Sequence, residues 1–288
     1  MKAFFLFART EVTFRKYHTT LWLIFDKLCK RLYTSFCCWK GWFLFMKIVD
    51  AVWEKRNLGV TAKEVTLDLG DTVDGLDELF ELDSEYTVVR VPVGCVDLMF
   101  KLNDLGYRFI ETMLNIQHGH KDVGSGLDRI TKRIAESITY FEMSDNELEE
   151  LRRQLRGGIF YTDRISLDPE FSAAKAAERY IGWIGDLQSQ GGNVFKCVLS
   201  GEIFGYFTSK IDGSNVNRVD NVGVYKNYEN AGLGVGLVNA SIRHACEAGA
   251  KMTVSSVSSN NIPALKANLA AGYVITSSQY IYIKHSSY

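Results

Sequence analysis

The chain has 288 residues, of which 47% are hydrophobic and 23% charged, and its formal net charge is −1. This composition is typical of a soluble globular protein, and the length allows one large domain or two modest ones. Residues 1–45 hold eight Lys or Arg against Glu11 and Asp26, so that segment carries +6 and the remainder −7. The main body therefore has no basic patch of the kind that binds nucleic acid, and we expect no nucleic-acid partner.

The cysteine and histidine patterns argue against a disulfide framework and against a metal site. Cys95, Cys197 and Cys246 stand singly in apolar stretches without CxxC spacing, which predicts reduced thiols in a cytoplasmic protein. His118 and His120 have metal-ligand character, but no cluster of carboxylates or cysteines accompanies them. We therefore expect no metal.

Residues 1–45 form an atypical N-terminal extension. Their apolar runs are cut by Arg9 and Asp26, so they are too short for a membrane span, and we expect no integral membrane span. One interpretation is a basic, aromatic segment that lies on a membrane surface. The other, which we favour, is that the natural protein begins at Met46, where MKIVDAVWEKRNLGV resembles an ordinary cytoplasmic start.

From residue 46 onward the pattern predicts two blocks of alternating strands and helices. The first block has strands at 63–69, 86–93 and 107–116 and helices at 75–82 and 95–105. Residues 117–137 join the blocks through three glycines and a short helix at 127–137. The second block has helices at 145–155, 171–188, 235–248 and 262–271 and strands at 138–143, 194–199, 204–211, 216–225, 252–257 and 273–284. Its first helix follows a capping box, Ser144 to Glu147.

The two blocks share an ending. A shift of 166 positions places Gly106-Tyr107 on Gly272-Tyr273, and both regions read strand, helix, Gly-Tyr, strand. The pattern indicates two copies of one unit, although any strand-helix-strand unit can show such spacing.

The most informative stretch is VGVYKNYENAGLG at 222–234, in which an apolar strand runs into a glycine turn that opens a helix. Backbone N–H groups of such a turn, together with a helix N-terminus, form a site for a pyrophosphate. The missing side chains of Gly232 and Gly234 let the backbone approach the anion. A dinucleotide site of the Rossmann type is disfavoured, because the turn comes late and no acidic residue ends the following strand.

These residues carry a family resemblance. VYKNYENAGLG at 224–234 and SNNIPALKANLAAGY at 259–273 resemble the coenzyme A motif and the next helix of the Gcn5-related N-acetyltransferases, over about residues 138–284. WEKRNLGV, LNDLGYRFIETMLNI and RISLDPEFSAAKAAERYIGWI resemble the tandem subgroup that includes a dTDP-fucosamine acetyltransferase.

The resemblance implies an α/β (α+β) GNAT fold, in which helices flank a mixed, mostly antiparallel central sheet. It divides the chain into the extension 1–45, a partial and degenerate GNAT-like domain at 46–120, a linker helix at 121–137 and an acetyl-CoA-binding GNAT domain at 138–288. The implied co-substrate is acetyl-CoA. The residues expected to bind it are Asn230, Ala231, Gly232, Leu233, Gly234, Val235, Asn260, Asn261, Ala264 and Asn268. Glu229 is a departure, since the family usually has Arg or Gln there.

The resemblance also implies a catalytic role for the strand at 216–225. In the family it splays from the next strand, the thioester lies in the gap, and a backbone N–H among Val222, Gly223 and Val224 faces the thioester oxygen. Asp220 is the candidate base, acting through water, although a lone Asp at a strand is as readily a surface residue. Many relatives place a Tyr acid where this chain has Asn268, which cannot protonate sulfur. Tyr280, or less plausibly Tyr228, is the candidate substitute.

Three function classes remain open at this stage. The first is an N-acetyltransferase that moves the acetyl group of acetyl-CoA to a primary amine of a small molecule, with a nucleotide-linked amino sugar as the narrower expectation. The second is a catalytically weak or inactive CoA-binding module, and the third is a structural or assembly protein. Tyr161, Asp163 and Arg164 lie where the family builds its acceptor pocket, and each could instead cap the following helix. A homodimer is left open.

Overall fold

The computed structural model describes residues 46–286, so the N-terminal extension lies outside the described residues. The strands are β1 Lys47–Asp50, β2 Ala62–Thr66, β3 Tyr86–Pro92, β4 Arg108–His118, β5 Thr139–Glu142, β6 Asn193–Leu199, β7 Glu202–Ile211, β8 Val216–Arg218, β9 Val222–Val224, β10 Met252–Ser258 and β11 Val274–His285. The helices are α1 Val52–Leu58, α2 Val96–Asp104, α3 Arg129–Ser137, α4 Asp145–Arg156, α5 Arg164–Leu167, α6 Ala173–Ser189, α7 Gly234–Glu247 and α8 Ile262–Ala270, with 3₁₀ turns at Asp74–Glu81 and Lys226–Tyr228.

All these strands belong to one sheet, in the order β1-β2-β3-β11-β4-β10-β8-β7-β6-β5, and β9 pairs with β7 beside that path. The pairs β2/β3 and β8/β10 are parallel, and the other pairs are antiparallel. The predicted mixed, mostly antiparallel sheet flanked by helices is therefore confirmed.

The predicted repeat corresponds to an interleaved part of this sheet. Both strand-helix-strand units are present, as β3-α2-β4 and β10-α8-β11. In the sheet, β4 of the first unit pairs with β10 of the second, and β11 of the second unit pairs with β3 of the first. In the β4/β10 pairing Val257 lies opposite Leu114, and in the β3/β11 pairing Val91 lies opposite Tyr280. A shift of 166 positions moves Val91 to Val257 and Leu114 to Tyr280, so it relates the two pairings. The division of the chain into domains at residues 121–137 stays a prediction. Strand β4, which precedes that linker, lies inside the sheet between β10 and β11.

The sheet has two covered faces. Along β4, Glu111 and Met113 point to one face and Thr112 to the other, as alternation along a strand requires. The face of Met113 is covered by α1, α5 and α6, where Ile165 and Phe171 belong to the buried core. The opposite face packs against α7 and α8 through Val238, Ile242 and Ala267.

The structure differs from the sequence expectation mainly in short elements. The pattern did not predict β1, α1, α5 or the 3₁₀ turn Lys226–Tyr228, because each is too short to show a period. The predicted helix at 75–82 is a 3₁₀ helix, and the predicted strand at 216–225 is broken into β8 and β9. Within the described residues no helix has the length and apolarity that crossing a membrane requires.

Candidate active site

The broken strand produces a fork in the sheet. β8 is parallel to β10, and Val219 N still donates to Val254 O at 3.0 Å. Beyond that point β9 pairs with β7 and, among the described strands, with no other. A gap therefore opens between β9 and β10, and the splay implied by the resemblance is confirmed.

Hydrogen bonds to β7 show which backbone groups of β9 face the gap. Tyr225 N donates to Phe204 O at 2.8 Å, and Thr208 N donates to Asn221 O at 2.9 Å. Because backbone groups alternate along a strand, Gly223 also faces β7, whereas Val222 and Val224 face the gap. Gly223 is needed for packing instead, since a Cβ there would lie 2.8 Å from Tyr206 Cε1. The N–H groups of Val222 and Val224 are thus the candidates for the thioester oxygen.

The glycine turn leads into an uncapped helix. Asn230 and Gly232 take positive φ angles, 63° and 74°, and α7 begins at Gly234. No side chain within residues 46–286 caps this end of α7. Ala231 N donates to Tyr228 O at 3.2 Å, so this N–H serves the turn. The amides at the start of α7 form an anion site that fits a pyrophosphate.

Glu229, the departure from the family pattern, has a cationic partner. Lys226 Nζ lies 3.2 Å from Glu229 Oε2, an i,i+3 ion pair across the turn. The pair offsets the negative charge that would otherwise face a phosphate.

Helix α8 supplies the far wall of the gap. Asn261 Oδ1 accepts from Ala264 N at 3.1 Å and so caps the helix. Asn268 Nδ2 donates to Ala264 O at 2.8 Å, which leaves one N–H of its amide for another partner. Both asparagines and Ala264 line the cleft described next.

A cleft of about 680 Å³ runs through the sheet at the fork. On the side of α7 and α8 it is lined by Val238, Ser241 and Tyr273. On the other side, which we call the acceptor end, it is lined by Trp53 of α1, Trp183 of α6 and residues of β2, β3 and β4. Two compartments on opposite faces of the sheet are therefore joined through the gap.

Ion pairs hold the acceptor end together. Arg164 Nη2 donates to Glu54 Oε1 at 3.0 Å and to Glu64 Oε1 at 2.9 Å. Arg179 Nε also donates to Glu54, and Arg90 Nη2 donates to Glu64 Oε2 at 3.3 Å. Burial alone would raise the pKa of Glu64, but the charges of Arg164 and Arg90 lower it below its usual value. Breaking such a buried pair costs roughly 3–5 kcal/mol, because one charge is left without its partner.

Glu111 of β4 lies beside this network without a hydrogen-bond partner. Its residue is 1% exposed, and neither carboxylate oxygen has a hydrogen bond within the described residues. Burial raises the pKa of Glu111, against smaller opposing effects of Ser258 and Arg164. The carboxylate lines the cleft, just beyond the residue where β10 stops pairing with β4.

Asp220 lies in the fork itself, between β8 and β9. Solvent reaches its side chain, yet enclosure by the cleft walls raises its pKa, which Arg218 and Lys210 lower in part. A carboxylate in contact with both water and the cleft can pass a proton to solvent.

Comparison with known proteins agrees with this architecture. Residues 158–273 match the model of the "Acetyltransferase (GNAT) family". This match spans α5 and α6, the fork, the glycine turn and α8, which is about two fifths of the chain. Residues 158–273 are therefore similar to a GNAT acetyltransferase domain. The family implies acetyl transfer from acetyl-CoA, and no curated protein matches the chain significantly in sequence.

Solved structures share the GNAT fold. A GCN5-related N-acetyltransferase from Sphaerobacter thermophilus is 12% identical with a TM-score of 0.55, over 83% of this chain and 76% of its own. A conserved protein of unknown function from Staphylococcus epidermidis is 12% identical with a TM-score of 0.55, over 78% and 84%. A glucosamine N-acetyltransferase region of a fungal multi-domain GH3 β-N-acetylglucosaminidase is 12% identical with a TM-score of 0.52, over 83% of this chain and 31% of its own. Identities this low show the fold alone.

The cleft brings together seven of the eighteen expected site residues. They are Asp163, Arg164, Asp220, Val222, Asn261, Ala264 and Asn268. Asp163 also caps the short helix α5, where it accepts from Ile165 N at 2.9 Å, whereas Ser172 caps α6, the helix predicted at 171–188. Contact of Asp163 with an acceptor stays a prediction.

Eleven expected site residues do not line the cleft. Eight of them are Gly223, Val224 and residues 230–235, which belong to β9, the glycine turn and the start of α7, and the other three are Tyr280, Tyr161 and Asn260. Tyr280 packs against Phe109, with ring centroids 6.0 Å apart, on the sheet face opposite Glu111. The alternation along β11 that sends Ile281 towards the acceptor end sends Tyr280 away from it. Tyr161 is 62% exposed, and Asn260 is exposed at the turn before α8. None of the three lines the cleft.

Both ring nitrogens of His120 contact protein groups. His120 Nδ1 and Nε2 contact Ala250 O and Thr253 Oγ1. Across residues 46–286 no three His, Cys, Asp or Glu side chains gather as a metal site would require.

Several cleft residues were missed by the sequence analysis, above all Glu111, with Glu64, Arg90 and Trp53. They come from strands and a helix before the linker, far from the glycine turn in sequence. One signal was available, because Glu111 is a charged residue within the apolar strand pattern at 107–116.

Proposed function

We propose that this chain transfers the acetyl group of acetyl-CoA to the primary amine of a small molecule, by direct attack in a ternary complex. The observation that supports this most is the cleft that runs through the sheet at the fork. It joins the side on which α7 and α8 lie to a side with carboxylates and aromatic walls, and the amides at the start of α7 are uncapped. One compartment suits a phosphorylated co-substrate and the other suits an amine.

The residues fit acetyl-CoA on physical grounds. The amides at the start of α7 are uncapped, Gly232 and Gly234 carry no side chain that would keep a phosphate away, and Lys226 balances Glu229. When bound, acetyl-CoA would supply an activated acetyl thioester. Each charge-assisted hydrogen bond from these amides is worth ~1.5–3 kcal/mol.

The chain's own groups would serve the transfer as follows. Val222 N–H and Val224 N–H face the gap and can stabilise a developing oxyanion. Asp220 accepts the amine's proton through water and returns it to solvent, since it contacts both. Asn268 can donate a hydrogen bond but not a proton, so sulfur leaves as a thiolate, a cost of roughly 2 kcal/mol at pH 7 for a thiol of pKa about 8.5.

The narrower acceptor, a nucleotide-linked amino sugar, rests on the resemblance to the tandem subgroup. Lys210 and Arg218 line the same cleft and offer positive charge for its phosphates. The alternative function is a CoA-binding module without turnover, which Asn268 favours because it stands in the place of a proton donor.

Two measurements on the full chain separate these functions. Acetyl-CoA at ~100 times its dissociation constant should add ~2.7 kcal/mol to the free energy of unfolding. CoA release with a panel of primary amines then distinguishes an enzyme from a binding module. If acetyl-CoA gives no stabilisation, both functions are wrong.

A further inference from the structure

The acceptor end contains one buried carboxylate to which no guanidinium group within the described residues donates a hydrogen bond. Three guanidinium groups and four carboxylates lie together at this end: Arg90, Arg164, Arg179, Glu54, Glu64, Glu111 and Asp163. Glu54 and Glu64 are paired with the arginines, and Asp163 caps α5. Among these four carboxylates, Glu111 is the one without a hydrogen bond within the described residues.

Glu111 is the carboxylate with which an incoming cation would pair. A buried carboxylate without a partner is unfavourable by several kcal/mol, and proteins normally pair or neutralise such groups. Glu111 is 1% exposed, its two oxygens have no hydrogen bond within the described residues, and it lines the cleft. An ammonium group that entered the acceptor end would meet both acceptor oxygens.

We infer that Glu111 is the ammonium-binding residue of the acceptor pocket, and that the pocket selects organic cations whose amine has no anionic neighbour. This inference rests on the proposed acetyl transfer and names its substrate class. The selectivity against an anionic neighbour follows from two features of this end. A carboxylate beside the amine would lie close to the buried carboxylate of Glu111, and Arg90, Arg164 and Arg179 each already donate to Glu54 or Glu64.

The rest of the pocket fits such a molecule. Trp53, Trp183 and Met113 offer apolar and aromatic surface to its body, and the Arg179 guanidinium already covers the Trp183 ring at 3.7 Å. Arg164 Nε is buried without a hydrogen-bond partner among the described residues. It can donate to a hydroxyl or carbonyl oxygen next to the amine, as an amino sugar or amino alcohol would present.

The carboxylate comes from β4, which precedes the linker, whereas the amides that fit the co-substrate come from α7. The first block would therefore supply the residue that binds the amine, and the second would hold the acetyl donor. The interleaving of β4 between β10 and β11 places the two functions in one cleft.

The test compares the full chain with Glu111→Gln, and with Glu136→Gln as a control at an exposed carboxylate of α3. Thermal shifts and acetyl transfer are measured with glucosamine, phenethylamine and phenylalanine. Phenylalanine is phenethylamine with a carboxylate on the carbon that bears the amine. We expect glucosamine or phenethylamine to bind and phenylalanine to be rejected.

Glu111→Gln should weaken binding of the accepted amine about 10- to 150-fold, as the loss of one charge-assisted hydrogen bond predicts. The variant should bind acetyl-CoA as the parent does, and in the absence of amine it should melt at a higher temperature at pH 8. A purely structural role would give the opposite shift. Glu136→Gln should match the parent in every measurement.

Four results would overturn the inference. Glu111→Gln binds the amine within three-fold of the parent, Glu111→Gln melts at a lower temperature than the parent, phenylalanine binds as tightly as phenethylamine, or no amine changes the melting temperature of the parent. Amine binding is measured without acetyl-CoA, so failure of the proposed transfer is seen separately, as absence of CoA release.

Discussion

Two glycines of the turn allow the phosphate site to be tested separately from the fold. Gly232 has φ of 74°, a conformation that costs an L-residue about 1–2 kcal/mol, and a Cβ there meets no atom within 4 Å. Gly234 begins α7, and a Cβ there would lie 3.6 Å from Ala267 Cβ, an ordinary contact. Alanine at 234 therefore fits the fold and places a methyl group at the proposed anion site.

The expected magnitudes follow from these positions. Gly234→Ala should leave the unliganded protein as stable as the parent or up to about 1 kcal/mol more stable, because alanine favours helix. If the methyl group removes one hydrogen bond to phosphate, affinity falls about 10- to 150-fold. Acetyl-CoA at ~100 times the parent's dissociation constant would then add ~0.4 kcal/mol instead of ~2.7 kcal/mol for a 100-fold loss.

The assay is thermal or urea unfolding of the parent, Gly232→Ala and Gly234→Ala, each with and without acetyl-CoA. Gly232→Ala should lose stability in the absence of ligand, whereas Gly234→Ala should lose the ligand's effect. Full stabilisation of Gly234→Ala by acetyl-CoA would refute the argument that the backbone must approach the phosphates closely.

Three further predictions concern the candidate base Asp220, the amide of Asn268 and the buried carboxyl group of Glu111. Asp220→Asn should lower the rate of acetyl transfer without changing acetyl-CoA binding, and an unchanged rate would remove Asp220 as the base. Asn268→Tyr should leave activity unchanged or raise it, because it restores a proton donor; loss of transfer while CoA still binds would show another role for Asn268. The raised pKa of Glu111 means that the folded state holds its proton to higher pH than the unfolded state. Stability should therefore fall as pH rises from about 4.5 through the raised pKa, and Glu111→Gln should lack this component in unfolding curves measured across that range.

The sequence predicted those parts of the fold that depend on local pattern. The capping box at Ser144 begins α4, and the glycine turn leads into α7 as expected. The repeat offset of 166 residues also has a structural counterpart, because it relates the β4/β10 and β3/β11 pairings.

The acceptor end could not be predicted in the same way. Glu111 and Arg164 are 53 positions apart in the sequence. They line the same cleft because β4 lies between β10 and β11 of the later block. This arrangement depends on pairing between strands that are distant in the sequence, which local sequence patterns do not show. The sequence predicts Tyr280 as a substitute proton donor, but the alternation along β11 directs its side chain to the opposite face of the sheet.

The most direct test of the account is a mass-spectrometric search for acetylated product when the full chain is incubated with acetyl-CoA and the amine panel. The account predicts an acetylated glucosamine or phenethylamine, with CoA released in equal amount and the product lost in Glu111→Gln. Stabilisation by acetyl-CoA with no acetylated amine at any pH between 6 and 9 would contradict it, and would favour a binding module instead.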